Sequence, residues 1–122
     1  MDENNVNEYL KLLNVSSVWK SGFTGKNINI AVIEDAILNI PGKLSIKGWF
    51  NTATNVYTTS EPTINALADH GFSTASLIGG KDIGIASDCN LYSVIVNTSV
   101  SDLNVSVKDF TPSGSRLPLL EF

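Results

Sequence analysis

Apolar residues recur at i, i+3, i+4 and i+7 at the start of the chain, where Val6, Tyr9, Leu10 and Leu13 form one stripe. That spacing predicts a short amphipathic helix over residues 3–13, closed at Asn14. A second short helix is expected next, with Ser16 or Ser17 as its cap, Val18 and Trp19 inside it, and Gly22 as its stop. After the polar loop at 24–27, the run Ile28–Ile33 is β-branched and almost wholly apolar. It predicts a strand covered on both faces in a parallel sheet, and it stops at Glu34-Asp35.

Pro41-Gly42 marks a turn, a second strand is expected over Leu44–Phe50, and a Thr- and Asn-rich loop over Asn51–Pro62. A helix is predicted from Asp69 to Ile78, with Leu67, Gly71, Thr74, Ala75 and Ile78 inward and Gly79-Gly80 ending it. Most of those inward residues are small, which allows close packing. A last strand, Leu91–Val96, follows a turn at Ser87–Asn90. Beyond it the pattern decays: 101–110 reads equally as strand or helix, and 111–122 holds two prolines without a clear period. No internal repeat interrupts this order. Strand, strand, helix, strand with apolar strands predicts an α/β fold with a mostly parallel sheet flanked by helices.

Composition narrows the class. At 122 residues the chain has the size of one domain, and its 43% hydrophobic content suffices for a core. The net charge of −4 is spread without blocks, so neither nucleic acid nor an anionic membrane is an expected partner. The single cysteine, Cys89, excludes an intrachain disulfide and fits a reducing compartment. The N-terminus is acidic and polar, with no visible signal peptide, and the initiating Met argues against a removed leader. No apolar run approaches the roughly 18–20 residues of a membrane span. A cytoplasmic location is therefore expected over a secreted one.

Two places carry candidate chemistry. Glu34 and Asp35 lie at the carboxyl end of the first strand, where open α/β sheets place catalytic groups. His70, the only histidine, lies in the first turn of a helix. Singly, each reads as a solvated loop start and a surface or capping residue. Together they match an acid–histidine arrangement for nucleophilic catalysis, the carboxylate fixing one imidazole tautomer and stabilising the charged ring. A helix start disfavours positive charge, which leaves such a base free to accept a proton.

At these residues the chain resembles a known family. WKSGFTGKNINIAVIEDAI is similar to the segment of subtilisin-like serine proteases in which Trp-x-x-Gly-x-x-Gly leads into the strand of the catalytic aspartate. HGFSTASLIGG resembles that family's His-Gly-Thr-His-Val-Ala-Gly motif, and GIASDCNLYSVIV its Gly-Val-Ala-Pro-x-x-x-Leu-x-x-Val-Lys-Val segment. The motifs stand in family order over residues 15–97, with 98–122 an unassigned tail of one truncated peptidase domain. The resemblance implies a partial three-layer subtilisin-like fold, peptide-bond hydrolysis by an acid–His–Ser triad, and His70 as the general base. Glu34 falls on the position of the catalytic aspartate, and Asp35 on the residue after it. Strand side chains alternate, so only one of the two can face His70; the alignment favours Glu34, with Asp35 the alternative. Ala36 and Ser73 also depart from the family pattern, at a glycine and at the motif's second histidine.

The family's oxyanion asparagine and serine nucleophile fall beyond the length of this chain. Ser113 and Ser115 are poor substitutes, because Pro118 would break the helix that a nucleophile in this fold begins. The expected function is thus the N-terminal part of a serine endopeptidase, inactive alone. The alternative is a non-catalytic protease-like module that binds a peptide or partner chain. A nucleotide-binding domain is disfavoured, because no Gly-rich phosphate loop follows the first strand. Expected partners are a peptide or protein substrate, and a complementing chain or a second copy at an exposed sheet edge. No cofactor is expected; calcium is implied by the resemblance alone, without ligands.

Overall fold

The computed structural model describes residues 3–63 and 69–96, so Leu67, Ser113, Ser115 and the tail lie outside the described residues. Its elements are α1 (Glu3–Leu12), α2 (Val15–Lys20), β1 (Asn29–Glu34), β2 (Ile46–Asn51), β3 (Val56–Thr58), α3 (Asp69–Gly79) and β4 (Asn90–Ile95). One sheet has the order β1-β4-β2-β3, with β4 parallel to both neighbours and β3 antiparallel to β2. This is an α/β fold with a mostly parallel sheet, as the alternation of elements predicts.

Alternation along the strands sorts the side chains onto two faces, except that an irregularity between Ile46 and Gly48 in β2 brings Ile46 onto the face of Trp49. Ile30 and Val32 of β1, Leu91 of β4, and Ile46 and Trp49 of β2 share a core with Ile37, Leu44, Cys89 and, from α3, Phe72, Ala75 and Ile78. On the opposite face Phe50 and Val94 are buried among Ala31, Ile33, Tyr57, Tyr92 and Val96. Helix α3 packs on β1 and β4.

Several expectations are corrected. In β1 only Val32 is buried, at 4% exposure, so the strand is not fully covered on both faces. Its place at the end of the strand order explains this, because one of its flanks has no neighbour among the described residues. The Thr- and Asn-rich loop contains β3, whose register pairs Trp49 with Thr58 and Asn51 with Val56. Two residues of the α1 stripe, Tyr9 and Leu13, are exposed, at 36% and 52%.

No serine side chain caps α2. Asn14 takes that place in a left-handed conformation (φ 53°) without a side-chain cap bond, and the Ser17 hydroxyl donates to its carbonyl at 2.9 Å. Asn14 also ends α1, its N–H donating to the Lys11 carbonyl. With only Leu13 and Asn14 between the two helices, the chain turns at Asn14, and Asn tolerates the left-handed conformation. Gly22 does close α2, at φ 91°. Its N–H donates to the Trp19 carbonyl and that of Phe23 to Val18, the paired bonds of a Schellman motif. The Trp19 indole then ties α2 to the turn before β4, donating to the Ile85 carbonyl at 2.8 Å.

Candidate active site

The candidate site lies where β1 ends and α3 begins. Alternation places Glu34 on the same side of β1 as Ile30 and Val32, which is the side α3 covers. The Glu34 carbonyl accepts the N–H of Val96, so the last residue of β1 is held in the parallel ladder with its side chain directed at the helix. Asp35 follows with the opposite parity. Its side chain makes no hydrogen bond or ion pair with a described residue, whereas its carbonyl lies against the first turn of α3.

That contact depends on Gly71. A β-carbon there would stand 2.8 Å from the Asp35 carbonyl oxygen, 3.1 Å from Ile37 Cγ1 and 3.3 Å from Glu34 Cβ. Only a residue without a side chain lets the helix start lie this close to the strand end. The approach brings His70 and Glu34 together across 36 positions of sequence: His70 Nδ1 and Glu34 Oε2 are 2.9 Å apart. An ionised carboxylate only accepts, so Nδ1–H donates to it and Nε2 is the ring nitrogen left for other chemistry. The His70 side chain is 76% exposed and that of Glu34 26%, so the base faces outward and the acid is sheltered behind it.

A third side chain reaches the pair. Thr74 lies one helical turn after His70; its hydroxyl is 3.1 Å from the His70 carbonyl oxygen and 3.5 Å from Glu34 Oε1. Sequence reasoning placed Thr74 only among the small inward residues of the helix. Its i, i+4 spacing from His70 was the signal that could have joined it to the site. Ser73 is exposed on the neighbouring face of α3.

The segment after Glu34 is fixed from within the core. The Ile37 N–H donates to Ser93 Oγ at 3.2 Å, and its carbonyl accepts from the Trp49 indole at 2.7 Å. Neither Ser93 nor Trp49 is marked by any local sequence pattern. For the calcium implied by the family resemblance, no group of three or more His, Cys, Asp or Glu side chains suited to a metal exists among the described residues.

The geometry defines an acid–histidine pair at the carboxyl edge of a parallel sheet. Over 90 residues the chain is 38% identical to the minor extracellular protease Epr of Bacillus subtilis (strain 168), a stretch covering 70% of this chain and 13% of that protein. It therefore spans a small part of the relative's length, and it is related to a protease over most of its own. No family model matches the chain, and no solved structure does. That relative is extracellular by name, which gives the cytoplasmic expectation no support. No helix among the described residues is long and apolar enough to cross a membrane.

Proposed function

We propose that residues 15–97 are the N-terminal part of a subtilisin-like serine endopeptidase domain, with His70 as general base and Glu34 as the acid that orients it. The 2.9 Å bond from His70 to Glu34 carries this reading, because it joins two residues that the motifs match independently to triad positions. Glu34 holds the proton on Nδ1 and leaves the lone pair on Nε2. Nε2 takes the proton of a serine hydroxyl as its oxygen attacks a peptide carbonyl, then delivers it to the departing amine. Water hydrolyses the acyl-enzyme by the same route, and Glu34 stabilises the imidazolium formed each time.

The nucleophilic serine belongs to sequence outside residues 15–97, so the chain alone is proposed to hydrolyse no peptide bond. The test is a chimera in which this chain replaces the matching segment of the Bacillus subtilis relative. The chimera is expected to cleave casein, and His70→Ala to lower kcat/KM by roughly 10²–10⁴-fold. A folded chimera that leaves casein intact while the parent cleaves it would overturn the reading in favour of a non-catalytic module.

A further inference from the structure

We propose that Thr74 is a positioning residue for the acid–base pair: its hydroxyl holds the second carboxylate oxygen of Glu34, so that the first is presented to His70 in a single geometry. This inference rests on the pairing of Glu34 with His70 proposed above. A glutamate has one more rotatable bond than an aspartate, and a carboxylate held through one oxygen can still swing about it. Glu34 Oε2 is engaged by His70 Nδ1 at 2.9 Å, and Thr74 Oγ1 is the described side-chain atom next to Oε1, at 3.5 Å.

The hydroxyl is itself aimed. Thr74 is β-branched and helical, and its Oγ1 bonds back to the carbonyl one turn earlier, at 3.1 Å from the His70 oxygen. That bond selects the rotamer that turns Oγ1 toward the strand end. The one hydroxyl proton is shared between the neutral carbonyl at 3.1 Å and the ionised carboxylate at 3.5 Å, the charge of the second acceptor offsetting its greater distance. Thr74 thus touches the backbone of the base and the side chain of the acid at once.

The departures from the resembled motif support the same conclusion. In His-Gly-Thr-His-Val-Ala-Gly the position of Thr74 is a valine, which cannot donate, and the position of Glu34 is the shorter aspartate. Both exchanges fall on side chains that are neighbours here. A hydroxyl gained beside an acid lengthened by one methylene restrains the freedom which that methylene adds.

The ring tautomer of His70 tests the inference in the chain as it stands, and the resonances need no assignment because this is the only histidine. Long-range ¹H–¹⁵N spectra of the neutral ring give the ratio of Nδ1–H to Nε2–H forms. The Nδ1–H form should dominate in the native chain and lose its majority in Glu34→Met, which has no acceptor. If the native ring already favours Nε2–H and Glu34→Met changes nothing, the pairing itself fails. With the pairing intact, Thr74→Val should lower the ratio about threefold, the size of one modest hydrogen bond, and Thr74→Ser should restore it. In an Glu34→Asp background the loss on Thr74→Val should shrink, since the shorter acid has less freedom to restrain. An unchanged ratio in Thr74→Val would show that the hydroxyl serves only its helix, and equal losses in both backgrounds would show that it does not restrain the freedom of the longer acid; either overturns the inference. Should Thr74→Val fail to fold by circular dichroism, Thr74→Ala gives the same reading against Thr74→Ser.

Discussion

The indole N–H of Trp49 donates to the carbonyl of Ile37 at 2.7 Å inside the core, three residues after the candidate acid. From the other side Ile37 donates its own N–H to the fully buried Ser93. Both polar groups of one buried peptide residue are thus satisfied by side chains of β2 and β4, and the turn that leaves Glu34 is pinned to the two strands beside it. Such a segment could not be buried without those partners, because an orphaned buried amide costs as much as the bond it lacks.

Removing either partner should therefore cost more than an average substitution. Trp49→Phe leaves the Ile37 carbonyl without a donor, and Ser93→Ala leaves its N–H without an acceptor. Each should lower the unfolding free energy by about 1–3 kcal/mol, read as a shift of the urea midpoint. A midpoint unchanged in both variants would mean that the turn is held by something else.

Two glycines should fail for different reasons. Gly71→Ala puts a methyl 2.8 Å from the Asp35 carbonyl oxygen, so the helix start must move away from the strand. A loss of about 1–3 kcal/mol is expected in thermal unfolding, together with a changed His70 ring spectrum. Gly22→Ala meets no atom within 4 Å and is strained only by its φ of 91°. It should cost about 1 kcal/mol and leave the His70 spectrum as it was.

Buried groups give the protein an alkaline limit. Burial pushes the Cys89 thiol up, with Asp88 adding to it and Lys81 opposing, and burial likewise raises Tyr57, with Tyr92 adding to it. In each case the folded state holds the proton more tightly than the unfolded chain. The corresponding stability is complete below the ordinary thiol and phenol range and is lost as pH rises through the folded values. Urea midpoints should therefore fall as pH rises above the ordinary thiol range, about pH 8.5, and fall further above the ordinary phenol value, about pH 10. In the same range native Cys89 should react with iodoacetamide at least about tenfold more slowly than the urea-unfolded chain. Equal rates in the two states would contradict its burial.

The Glu34–His70 pair is three-quarters exposed at the histidine, so its stabilising effect should be small. His70→Ala is expected to change the unfolding free energy by about 0–1 kcal/mol, while removing the base entirely from the candidate site. Circular dichroism melts of the two proteins should nearly superimpose.

What the sequence made legible were features set by local spacing. The apolar run over 28–33, the small-residue helix from Asp69 and the strand before Val96 lie within a residue or two of the structure's elements. The parity that separates Glu34 from Asp35 follows from strand alternation alone. What stayed hidden depends on partners distant in the chain. Nothing near Val56 announces a strand, because β3 is three residues long and exists through its pairing with β2. The burial of Ser93 and the bond of Trp49 become visible only once β4 and β2 stand beside the turn after β1. Thr74 was placed on the correct helix face, but its second partner is 40 residues away.

The sheet order has a consequence in time. The last strand among the described residues, β4, is inserted between β1 and β2, which share no ladder of their own. Among the described strands, the pairing that does not need residues 90–95 is the local one of β2 with β3. Closing the parallel ladders is a long-range event, slow relative to local turns and helices. Glu34 sits on β1 and His70 on the helix that leads into β4, so the two come to bonding distance where that helix packs on β1. A chain growing from its N-terminus therefore carries Glu34 well before His70, and the 36 positions between them are bridged only once α3 lies against β1.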